Sequence, residues 1–116
     1  MAIDPTATMK ARIRDDLVAA MKGKHAEEVA LLRSLLAAID DAEAPAARSA
    51  LGSMIREPSE VDRLVLTDAE LRAVIAGESA GRRRAASELA GLGQHERAEA
   101  LLRQAALAER YLMPRA

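Results

Sequence analysis

Apolar residues return along the first third of the chain at intervals of three and four. Met9, Ile13, Leu17 and Ala20 share one side of a helical turn, which predicts a first helix over residues 8–22. Thr8 is its expected cap and Gly23 its expected break. Val29, Leu32, Leu36 and Ile39 repeat the period and predict a second helix over residues 26–41. The few residues between them are too short to do anything but fold the second helix back as an antiparallel hairpin.

Periodicity then lapses. Residues 42–66 contain Pro45, Gly52 and Pro58 and no sustained apolar stripe, which predicts a long connection or insertion with a short helical turn at 47–55. Order resumes at Thr67-Asp68-Ala69-Glu70. Here the Thr hydroxyl and the Glu carboxylate fit a capping box, each satisfying an orphan backbone N–H of the other's residue. The third helix should run to Ala90 and stop at Gly91-Leu92-Gly93. Gly77 and Gly81 lie within it at about 1 kcal/mol each relative to Ala, a cost that a closely packed neighbouring helix would explain. A fourth helix is expected over 95–112, ended by Pro114. The predicted fold is all-α: two antiparallel hairpins in a four-helix, bundle-like domain. Residues 1–7 form a flexible leader, 8–116 a single domain, and 42–66 the long link between helices two and three.

Composition narrows what fills this domain. Half the residues are apolar, but Phe and Trp are absent and Tyr111 is the one aromatic residue. The core must therefore be aliphatic. A net charge of -1 supplies no global field to draw in a polyanion. Without cysteine there is no disulfide, thiolate metal site or thiol nucleophile. No apolar run approaches the roughly 20 residues that span a bilayer, and residues 1–8 lack the apolar region of a secretory signal. The expectation is a cytoplasmic protein with no membrane contact.

Several charges fall on the apolar arcs. Glu78 and Arg82 lie four apart among Leu71, Val74, Ile75, Ala85 and Leu89, with the acid N-terminal, the favourable order for an ion pair. Asp16 falls between Ile13 and Ala20, Arg33 at the edge of the second arc, and Glu109 among Leu102, Ala105 and Leu112. Charges placed so must pair internally, which predicts a structural ion network of Asp16, Arg33, Glu78 and Arg82. The run Arg82-Arg83-Arg84 cannot form one flat patch, because successive helical residues point about 100° apart. Arg83 and Arg84, extended by Arg72 and Arg103, are the candidates for phosphate contacts. One tyrosine offers little for base stacking. No P-loop, dinucleotide fingerprint or H-E-x-x-H motif is present, so no catalytic residue, metal ligand or cofactor is nominated.

Read in order, these residues resemble the GatB/YqeY family, in its YqeY-like branch. Asp16-Leu17 with Ala20-Met21-Lys22 is similar to a D-L-x-x-A-M-K element, and Leu32-Arg33 with Ala37-Ala38-Ile39 to L-R-x-x-x-A-A-I. Leu66–Glu70 matches an L-T-D-x-E opening, Glu78 with Arg82-Arg83 an E-x-x-x-R-R element, and Tyr111-Leu112 a Y-L-P ending. The chain departs from the pattern at His25, Gln104 and Met113, and its 42–66 connection is longer than in compact members. The family's small C-terminal helical subdomain, which resembles the tRNA-contacting tail of the amidotransferase B subunit, is not within these 116 residues.

The resemblance implies a bacterial protein grouped with carbon–nitrogen ligases that use glutamine as amido donor and act on misacylated tRNA. In that machinery the kinase and amidase chemistry belongs to other domains and subunits. The implied role is accessory, binding tRNA or an amidotransferase component. An alternative class is a helical protein-interaction scaffold with no nucleic-acid role, using Leu64, Val65 or Leu107 for docking. A third is an autonomous amidase or ligase working through the inward charges.

Overall fold

A computed structural model describes residues 4–44 and 65–114 of the chain. The expected helical turn at 47–55 and the docking candidate Leu64 lie outside the described residues. Among the described residues four α-helices follow in order: α1 (Pro5–Lys22), α2 (Ala26–Glu43), α3 (Asp68–Gly91) and α4 (His95–Arg110). The all-α class is as read from the periodicity. α3 packs most extensively on α4 and α1 on α2, while α2 touches every other helix.

The helix starts follow capping chemistry, with one correction. α1 begins at Pro5 rather than after Thr8, so residues 5–7 are helix and not leader. Asp4 is the true cap, its carboxylate accepting from the Thr6 N–H at 3.0 Å. Pro5 at the first helical position has no N–H to leave unsatisfied. Thr8 instead turns its hydroxyl back to donate to the Asp4 carbonyl. At α3 the expected capping box is present in full. The Glu70 N–H donates to Thr67 Oγ1 and the Thr67 N–H to Glu70 Oε1, both at 3.0 Å.

Both hairpins turn through the same six-residue hydrogen-bond pattern. After α3 the Gln94 N–H reaches the Leu89 carbonyl and the Gly93 N–H the Ala90 carbonyl. After α1 the His25 N–H reaches Ala20 and the Lys24 N–H reaches Met21. This is the Schellman closure, which requires a left-handed residue at its fifth position. Gly93 supplies it in the second turn with φ 80°, but in the first it is Lys24, with φ 58°, and not Gly23. Gly23 itself is right-handed, and a Cβ there would approach only the exposed His25 ring, with Cε1 at 2.9 Å, a surface side chain able to turn aside.

The main core is aliphatic, as composition requires. Ile13 and Ala20 of α1 and Leu31, Leu32, Leu35 and Ile39 of α2 meet Leu66, Leu71 and Ile75 at the start of α3. Ala108 and Tyr111 close it from the end of α4. Farther along the α3–α4 hairpin, Ala86, Ala98 and Ala105 are buried outside that cluster, small enough for two helix backbones to approach closely. The glycines within α3 do not serve that approach. Among the described residues, a Cβ at Gly77 would meet nothing within 4 Å, and one at Gly81 only the flexible end of Arg84. No helix among the described residues packs against them, contrary to that expectation.

α2 runs two residues past its expected end, to Glu43. Its last turn carries Asp40, Asp41 and Glu43, where the helix dipole is already negative. Lys10 of α1 offsets this from below, its ammonium 2.7 Å from Glu43 and 3.0 Å from Asp40. Burial opposes that charge, but the two carboxylates outweigh it and raise the Lys10 pKa above its ordinary value.

Candidate functional site

Three of the motif residues meet in space. Asp16 lies on the inner side of α1, Leu32 on α2, and Tyr111 caps the C-terminus of α4; all line one cavity of about 200 Å³. Helical spacing builds its walls. Arg12 stands one turn before Asp16 on α1, Glu28 one turn before Leu32 on α2, and Leu107 one turn before Tyr111. Arg110 completes the rim.

Tyr111 is the pivot of this arrangement. Its ring is buried, and its hydroxyl donates to Asp16 Oδ2, joining residues 95 apart in sequence. The Arg12 guanidinium sits 4.6 Å from the ring centroid, a cation–π distance. Burial pushes the phenol pKa well above its ordinary value, and the hydrogen bond to Asp16 and the negative charges of Asp16 and Glu28 push it further. The Arg12 charge opposes them without prevailing. A second, larger groove of about 570 Å³ adjoins the cavity and shares Glu28, Leu107 and Arg110 with it. Its remaining wall includes the small apolar Ala26 and Ala106.

The other sequence-predicted charges lie elsewhere. Glu78 and Arg82 do pair, at 3.2 Å, and Arg82 Nε also donates to Gln104 Oε1 at 3.0 Å, tying α3 to α4. Asp16 is not part of that pair, and Arg33 is exposed with no ion pair among the described residues. The four therefore do not form one network. Arg33 follows the buried Leu32, and one step of about 100° carries its side chain off the core arc into solvent. Glu109 binds α4 to α3: it takes the Ser79 hydroxyl and two Arg83 N–H groups, each of the latter at 2.7 Å. These donors hold its carboxyl down at about 2. An acid so stabilised in its charged form is a poor base, so the Ser79–Glu109 contact does not activate the serine.

Three of the four phosphate candidates hold acceptors within the chain. Arg83 is forked onto Glu109, Arg103 onto Glu27 of α2 at 2.8 and 3.0 Å, and Arg72 donates to the Leu112 carbonyl at 2.6 Å. Arg84 is exposed and makes no ion pair among the described residues. Of the docking candidates, Val65 is exposed and Leu107 packs half-buried against the core.

No protein-family model, curated protein or solved structure matches the chain.

Arg12, Glu28 and Arg110 are cavity residues that sequence reasoning did not single out. Arg12 and Glu28 had a signal, each lying one turn before a residue already noted on an inner face. Arg110 had none, since only the end of α4 meeting α1 and α2 brings it to the rim. Among the described residues, no group of three or more His, Asp or Glu could hold a metal ion, and no helix is long and apolar enough to cross a membrane.

Proposed function

We propose that this chain is a YqeY-like accessory module of glutamine-dependent tRNA amidation in the bacterial cytoplasm. On this reading it binds an amidotransferase component or tRNA and leaves the carbon–nitrogen ligation to its partners. The observation that supports it best is the convergence of Asp16, Leu32 and Tyr111. These come from three separate elements of the family-like pattern and line one cavity. Five short matches spread along a sequence gain weight when distant members of the set turn out to be neighbours. Catalysis by the chain alone has less support, because Ser79, the one buried serine among the described residues, lies against a carboxylate held in its charged form.

The intramolecular commitments of Arg72, Arg83 and Arg103 favour the protein-binding branch over tRNA. They equally favour the second reading, a helical scaffold with no nucleic-acid role. In the tRNA branch Arg84 carries the phosphate contact. Crosslinking and co-purification from native cells separate the readings. Recovery of an amidotransferase subunit supports the proposal. So does recovery of tRNA through binding that weakens with salt and with Arg84→Ala. An unrelated protein recovered alone supports the scaffold. Recovery of neither tRNA nor an amidotransferase component overturns the proposal.

A further inference from the structure

The cavity beneath Tyr111 is lined by equal numbers of opposite charges: Arg12 and Arg110 against Asp16 and Glu28. Among the described residues neither arginine forms an ion pair, although both acids share its cavity. Guanidinium groups carry several donors each, and Asp16 spends only part of its accepting capacity on the Tyr111 hydroxyl. Charge of both signs therefore faces a space of about 200 Å³ with hydrogen-bonding capacity left over. At roughly 30 Å³ per water in the liquid, that space holds about seven waters, the size of a small metabolite.

We propose that this cavity binds a free α-amino acid, with its carboxylate between Arg12 and Arg110 and its ammonium group against Asp16 and Glu28. A simple anion such as phosphate gains two guanidiniums but meets two carboxylates lining the same cavity, and a simple cation meets the reverse. A zwitterion satisfies both sets, and bidentate arginine–carboxylate pairing is the strongest contact available there. The side chain has an exit. Glu28, Leu107 and Arg110 also border the adjoining groove, where Ala106 offers apolar surface, so the amino acid's side chain lies toward that groove. The inference goes beyond the accessory-module reading, and the two fail separately: the one depends on macromolecular partners, the other on a small molecule and the purified chain.

Tyr111 provides the readout, because it is the chain's one aromatic residue and its ring borders the cavity. The purified protein is titrated with each of the twenty protein amino acids while Tyr111 fluorescence and thermal unfolding are followed. The expected result is that one amino acid or a chemically related few shift the fluorescence and raise Tm. The N-acetyl and methyl-ester derivatives of each, which remove one charge, should bind about tenfold or more weakly. Arg12→Gln and Glu28→Gln should weaken binding comparably while the helical circular dichroism is unchanged. If either variant fails to fold, the derivative series on the unaltered protein still decides the question. Two results overturn the proposal. One is no response to any amino acid at millimolar concentration. The other is acetate, phosphate or the charge-blocked derivatives binding as well as the zwitterion.

Discussion

Lys24 and Gly93 occupy the same left-handed position in two turns closed by the same hydrogen bonds, so the first turn carries a strain that the second avoids. A left-handed conformation costs a residue with a Cβ roughly 1–2 kcal/mol, and glycine gives back about 0.5–1 kcal/mol of that through chain entropy. Lys24→Gly should accordingly stabilise the protein by about 0.5–1 kcal/mol, seen as a higher urea midpoint at unchanged slope. The opposite case lies within α3. Gly77 has a helical interior position, and no described residue lies where its Cβ would be, so Gly77→Ala should add about 0.5–1 kcal/mol in the same assay. A midpoint that fell would reveal a neighbour against that face. These two positions also mark what the sequence conceals at this scale. A glycine beside a turn reads as its left-handed residue, yet the conformational burden falls one residue past Gly23, on Lys24.

Along the helices, residue spacing reveals which face a side chain occupies but not which partner it meets. The inward positions of Glu78, Arg82, Asp16 and Glu109 could be read from 100° steps, and so could the capping box at Thr67. The i,i+4 pair Glu78–Arg82 was legible because both partners ride on one helix. Lys10 with Glu43, Arg103 with Glu27 and Arg83 with Glu109 were not, since each depends on the register of one helix against another. The last of these has a pH signature. Glu109 titrates near 2 in the fold against an ordinary 4.5, so its stabilising effect is complete above 4.5 and is lost as pH falls toward 2. Glu109→Gln should therefore lower Tm by a few degrees near neutral pH. The gap between variant and parent should close across that acidic window, as thermal unfolding monitored by circular dichroism would record. A gap that persisted at pH 2 would mean that the Ser79 and Arg83 contacts depend on carboxylate shape and not on its charge.

Over the whole molecule, the hydrogen bond from Tyr111 to Asp16 ties the end of α4 to the middle of α1, closing the second hairpin over the first. The composition had already singled out Tyr111 as the one aromatic residue, but not that its hydroxyl would reach a carboxylate on the opposite hairpin. That contact makes the assembly of the two hairpins sensitive to alkali. The phenol is held protonated by burial first and by Asp16 next, so its folded pKa lies above the ordinary 10. Lys10, which joins α1 to the end of α2, is likewise raised above 10.5. For both groups the fold favours the protonated form. Their contribution is therefore intact below pH 10 and is lost as pH climbs through the raised values. Tyrosinate absorbance should be missing at pH 10, where a free phenol is half ionised, and should emerge at higher pH together with loss of the helical circular dichroism. Because the chain has a single tyrosine, the absorbance reports this one contact without deconvolution. Tyr111→Phe should shift the alkaline transition, leaving only the Lys10 component, and should lower stability at neutral pH by about 1–2 kcal/mol as Asp16 loses its donor. Ionisation of Tyr111 at its ordinary pKa in a fully helical protein would mean that the two hairpins are not held together at this point.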